Sequence, residues 1–279
     1  MNLPFAPPDL AHRAGGGWSA VGHSPAGGSG IGRQRRALVS RLLVDWMVRR
    51  GRWALHRHVH LVAAFEQAAV LAPIETLLSV GAGAALSELY LAAVHPGLAV
   101  TISDFDDERL ERARARARYM GLANVKVCRL DLLAQPSAPT HDLTVGIEVL
   151  EHIDDDRRAV AHVLAMTRTF AYQLVPFCTE ADRADPARQR RAWEHNQHYR
   201  PGYTHATLAQ LFADSRPEWV RNCYFQPEAS ALRTQIESLG QWGRLRRRRD
   251  LLLAACADVR DVRVPEGADG IEMLTRPTG

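Results

Sequence analysis

Residues 76–94 read TLLSVGAGAALSELYLAAV, and the reading of this stretch decides the fold. TLLSV is an apolar run of strand length, GAGAA interrupts it with Gly81 and Gly83, and LSELYLAAV follows with residues suited to a buried helix. A strand that turns through glycines straight into a helix is the opening of a parallel-sheet unit, because parallel strands need a crossover between them. The backbone NH groups at such a turn can hold a nucleotide-type ligand. The dinucleotide pattern GxGxxG would place Gly or Ala at position 86; Leu86 stands there instead, which sets a dehydrogenase reading aside.

The rhythm continues outward. AVTISDF reads as a second strand, with the helix DDERLERARARARYMG after it, closed by Gly121. VKVCRLDL is a third strand and HDLTVGIEV a fourth. The helix DDRRAVAHVLAMTR leads to a fifth, FAYQLVPF, and WVRNCYF and GIEMLTR read as two more. Strands alternating with helices predict an α/β, doubly wound, mostly parallel seven-stranded sheet. Residues 178–205 are polar, follow a strand end and are placed to cover a site as a lid-like insertion.

Before the sheet, residues 1–32 are rich in Gly, Pro and Ser and read as an irregular or flexible arm. GGSGIGRQ within them imitates a phosphate loop but lacks the GK[ST] ending and a preceding strand. Residues 33–73 carry two helical patterns: a stripe through Leu38, Val39, Leu42, Leu43, Trp46 and Met47, then a helix from about Trp53 to Leu71 that Pro73 ends. These helices belong on the substrate side, and residues 74–279 form the main domain. A basic helical region runs late in the chain through GRLRRRRD.

Composition excludes several classes. Cys128, Cys178, Cys223 and Cys256 are far apart with no CxxC pair, which speaks against a zinc ribbon or a disulfide framework and fits a cytoplasmic protein. No apolar stretch approaches the roughly 18 residues of a membrane span. The net charge is +4 with Lys126 as the sole lysine, so the basic character is that of arginine. Its two concentrations, residues 33–58 and 243–250, are solvated helix faces or a surface for a phosphate-rich partner.

Acidic residues stand at successive strand ends. Asp104 follows the glycine loop by about 20 residues, the place where a carboxylate can accept from both hydroxyls of a ribose. Asp131 ends the third strand, and Glu148, Glu151 and His152 follow the fourth. In a helical turn the last three, at i, i+3 and i+4, share one face. That face can be a base, a metal site or a solvated helix start. In this order and spacing SVGAGAA, TISDFD, CRLDLL and GIEVLEHI resemble the successive motifs of class I S-adenosylmethionine-dependent methyltransferases, over about residues 74–177.

The resemblance implies S-adenosyl-L-methionine as cofactor. It implies that Ser79, Gly81, Ala82 and Gly83 lie along its methionine part, that Asp104 holds the ribose with Phe105 against the adenine, and that Asp131 and Leu132 meet the adenine amino group. Glu148 faces the same cleft. This sequence departs from the family at Ser79, where an acid often stands, and at Ala85, where a third glycine often stands. EVLEH is common in small-molecule methyltransferases resembling the ubiquinone-pathway enzymes. There the implied acceptor is the oxygen or nitrogen of a small metabolite, with His152 as general base and His198 as the second candidate catalytic residue. In-line methyl transfer needs alignment and, for a hydroxyl, removal of a proton, and imidazole suits that task near neutral pH.

EVLEH with the later HNQH also resembles the metal-dependent methyltransferases that modify the terminal ribose of small RNAs. Carried over residue by residue, that implies a divalent ion on Glu148, Glu151, His152 and His198, with His195 as a substitute for the last. The alternatives to a small-molecule methyltransferase are therefore a divalent-metal-dependent RNA ribose methyltransferase, or a non-catalytic S-adenosylmethionine-binding module.

Overall fold

In the computed structural model, which describes residues 52–134, 140–223 and 270–278, the glycine turn at 81–85 joins an inner strand of a sheet to the helix packed on it. The arm at 1–32, the helical stripe at 33–50 and the late basic region lie outside the described residues. Helix α1 (Arg52–Leu71) precedes β1 (Thr76–Val80), α2 (Leu86–Val94), β2 (Ala99–Asp104), α3 (Asp107–Met120), β3 (Val125–Arg129) and β4 (His141–Ile147). Then follow α4 (Asp156–Ala165), β5 (Thr167–Pro176), the short helices α5 (Glu180–Ala184), α6 (Pro186–Asn196) and α7 (His205–Leu211), β6 (Ser215–Cys223) and β7 (Gly270–Pro277).

Among the described residues the sheet has seven strands in the order β3-β2-β1-β4-β5-β7-β6. β1 to β5 are parallel, and β7 runs antiparallel between β5 and β6. The period-2 alternation of a strand splits its apolar residues between two cores. Leu77 of β1 and Tyr172 and Leu174 of β5 pack on the α1, α2 and α3 side. Leu78, Val80, Ala171 and Val175 pack on the other side with Val160 and Val163 of α4 and Leu208 of α7. Burial on both faces explains why β1 reads as a nearly unbroken apolar run.

Local chemistry sets most boundaries. Asp106 caps α3 by accepting from the NH groups of Glu108 and Arg109, Thr204 caps α7, and Gly121 closes α3 in a left-handed conformation. One boundary moves: the helical pattern expected to run through Arg168 stops at Ala165, and Thr167 and Arg168 begin β5. The cause is tertiary, since Thr167 pairs with His141 of β4 and the sheet outweighs helix propensity there. No helix among the described residues is long and apolar enough to cross a membrane.

Candidate active site

The glycine turn sits where the strand order reverses between β1 and β4, the crevice in which such sheets bind ligands. Gly81 has φ 57°, and a Cβ there would lie 2.7 Å from Val149 Cγ2, so only glycine lets the two strand ends approach. Gly83, at φ 58°, has no atom within 4 Å of a Cβ position, which leaves open space against its backbone. Ala82 donates its NH to Ser103 O at 2.9 Å, and Gly83 donates to Asp104 Oδ2 at 2.9 Å. Asp106 N donates to Asp104 Oδ1 at 3.1 Å. A buried carboxylate, a backbone turn and open space in one place fit a ribose-bearing ligand held by Asp104.

The remaining residues expected around the cofactor follow at the ends of β2 and β3. Phe105 is exposed, as an aromatic surface open to a ligand would be. Asp131 is exposed too, with Oδ1 accepting from Leu133 N at 2.8 Å. It is therefore not one of a series of buried carboxylates; Asp104 has that character and Asp131 does not. Leu132 is buried and its carbonyl meets His162 Nδ1 at 2.9 Å. Ser79 is fully buried, and its hydroxyl donates to Glu88 Oε1 at 2.7 Å.

Beyond β4 the chain departs from the expected helical turn. Glu148 takes a left-handed conformation with φ 55°, residues Leu150–His152 form a single 3-10 turn, and α4 begins only at Asp156. Glu148, Glu151 and His152 consequently do not share a helix face. Glu151, His152 and His198 do come together, each offering one ligand atom within 4.8 Å of the others; Glu148 lies outside this group. His195 stays exposed on α6, with Nδ1 against Arg191 O. The His152 and His198 rings meet edge to face with centroids 4.5 Å apart.

Electrostatics separates these groups. Glu151 is fully buried, and among the described residues neither carboxylate oxygen has a hydrogen-bond partner. Burial, and then the nearby charge of Glu148, push its acidity well above the ordinary carboxylate range. Burial lowers His152 below the usual imidazole value, and burial together with His152 lowers His198 to about 4. Both shifts favour the neutral imidazole, the form required of a base or a metal ligand. Burial raises Glu148, with Arg57 and then His60 opposing it.

Arg200 fastens the two halves of this cluster, and nothing in the sequence marks it. Its guanidinium donates to the carbonyls of Leu150, Ile153 and Asp154 at 2.8, 2.7 and 2.7 Å and pairs with Asp156 at 3.3 Å. Tyr199 N donates to Glu151 O at 2.8 Å, so His198 is drawn against the 3-10 turn. Arg57 and Glu88 were equally unmarked. Arg57 of α1 donates to Ile147 O at 2.9 Å and to Glu88 Oε1 at 2.8 Å.

Residues 77–169 match a family described as a methyltransferase domain. Over that segment the chain is similar to methyltransferase domains. No curated protein matches the chain by sequence. Solved structures resemble the chain in fold. A protein of Galdieria sulphuraria assigned as a sarcosine dimethylglycine methyltransferase is 13% identical with a TM-score of 0.56, over 80% of this chain and 86% of its own. Coclaurine N-methyltransferase, solved with N-methylheliamine and S-adenosylhomocysteine, is 14% identical with a TM-score of 0.56, over 80% and 70%. The [4+2]-cyclase SpnF is 17% identical with a TM-score of 0.55, over 80% and 82%. The chain thus shares its architecture with proteins whose names cover more than one chemistry.

Proposed function

We propose that the protein transfers the methyl group of S-adenosylmethionine to an oxygen or nitrogen of a small-molecule acceptor, with His152 as general base. The observation that carries this reading is the pair of imidazoles His152 and His198, the first on the 3-10 turn that follows β4 and the second packed edge to face against it. In the in-line step the acceptor lone pair forms the new bond to the methyl carbon, and the C–S electron pair stays on sulfur. His152 takes the acceptor's proton. Ser79, Gly81, Ala82, Gly83 and Asp104 hold the cofactor from the β1 and β2 side, and Phe105, Asp131 and Leu132 flank its adenine. Residues 178–205 close over the acceptor.

One observation favours a second reading. A fully buried carboxylate without a partner, beside two imidazoles, is a donor set that suits a divalent transition metal. The ligands would be Glu151, His152 and His198, and such an ion would polarise the hydroxyls of a terminal ribose. Two measurements separate the readings. Calorimetry with S-adenosylhomocysteine must show binding to the purified protein, and its failure overturns both. Cobalt(II) titration then tests the metal: a visible ligand-field band lost in Glu151→Gln and His198→Ala, with transfer to a short RNA abolished by EDTA, establishes the second reading. Transfer to phenol or amine acceptors that survives EDTA supports the first. Cofactor binding without transfer to any of these acceptors points to a non-catalytic module.

A further inference from the structure

Glu88 lies outside the glycine loop, on the first turn of α2, and its carboxylate is fully buried at the reversal point of the strand order. Its surroundings are specific. Oε1 accepts from Ser79 Oγ at the end of β1 and from Arg57, whose other amino group holds Ile147 O at the end of β4. Oε2 has no hydrogen-bond partner among the described residues. A buried carboxylate oxygen left unpaired is costly, so a donor brought by a ligand is strongly favoured there. Charge points the same way: the one guanidinium of Arg57 serves Glu88 and is also the main charge set against the burial of Glu148, with His60 behind it.

We propose that Glu88 is the anionic floor of the cofactor site, receiving the ammonium of the cofactor's amino-acid end, with Ser79 and Arg57 as the residues that position it. This rests on the reading that the protein binds S-adenosylmethionine. The adenosine end of that molecule carries no cation, while Asp104, which would hold the ribose, stands one strand away on β2. The amino-acid end therefore falls toward β1 and β4. Helix α1 then becomes part of the cofactor site through Arg57, because the side chain that orients Glu88 also grips the end of β4.

The test is calorimetric and needs no turnover. S-adenosylhomocysteine and its deaminated analogue are titrated into wild type, Glu88→Gln and the double variant Glu88→Gln, Ser79→Asp. Wild type is expected to bind the deaminated analogue at least about tenfold more weakly, the effect of losing one charge-assisted hydrogen bond. Glu88→Gln should bind both ligands alike, at the strength wild type shows for the analogue. Restoring an acid at Ser79 should return part of the discrimination. Indifference of the wild type to the amino group overturns the proposal without any variant. So does a Glu88→Gln protein that keeps full discrimination, or one that weakens for both ligands equally below the wild-type analogue value. If wild type binds neither ligand, the cofactor reading itself falls.

Discussion

Two buried glutamates, each beside histidine, have opposite fates. Glu272 of β7 has both oxygens occupied: Oε2 by His60 Nδ1 at 3.0 Å and the Tyr172 hydroxyl at 2.6 Å, Oε1 by Arg221 Nε. Burial alone would raise it, but His60 and Arg221 outweigh burial and bring it down to about 2. Glu151 is as deeply buried and, among the described residues, has no hydrogen-bond partner at either oxygen, so burial and then the charge of Glu148 push it up. Residue type and burial are the same; partners make the difference. The satisfied glutamate latches α1 to the far side of the sheet, and the unsatisfied one is left free to take a ligand or a proton.

Breaking the latch should give the largest effect. Glu272→Ala leaves Arg221 facing a void and should cost about 3–5 kcal/mol, read as a lower urea midpoint. A loss below 1 kcal/mol would mean that the two glutamates do not differ in kind. On the other side, His152→Ala should lower methyl transfer by about 10²–10⁴-fold while S-adenosylhomocysteine affinity holds, because the imidazole acts on the acceptor. Equal losses in both quantities would make His152 structural.

The pH profile sharpens the same contrast. Burial lowers His152 below 6.5, so the acid limb of kcat/KM should fall at an apparent pKa below that value. A limb above 6.5 contradicts the assignment. The smallest effect expected is Glu151→Gln. The native carboxyl holds its proton above its unfolded pKa of 4.5, so the folded state binds more protons and stability falls as pH rises past that value. Gln removes this loss. The metal-free variant should melt a few degrees higher than wild type at pH 8, with the gain shrinking toward pH 4. A lower melting temperature at pH 8 would show that Glu151 has a partner.

Much of the architecture was legible because its signals are local. The strand, glycine turn and helix over residues 76–94 are where they were expected, since an apolar run, two glycines and a helix-forming segment act within a few residues of one another. The helix expected from about Trp53 is found at Arg52–Leu71. The insertion at 178–205 reads as polar cover, and its two short helices, Glu180–Ala184 and Pro186–Asn196, owe their starts to Thr179 and Asp185 caps.

Long-range partners could not be read in this way. That Ser79 replaces a common acid is visible in the chain; that Glu88 reaches its hydroxyl from the next helix turn depends on how α2 docks on β1. GIEVLEH names Glu151 and His152, yet the left-handed Glu148 and the 3-10 turn took Glu148 out of the cluster, and Arg200 brought His198 into it. His60 and Glu272, 212 residues apart, carry no mark of each other in sequence. The sequence by itself determined the order of strands and helices and the glycine turn that opens the cleft, because periodicity, caps and turn residues act locally. Only the tertiary structure decided which buried carboxylates found partners, because that depends on side chains brought together by packing.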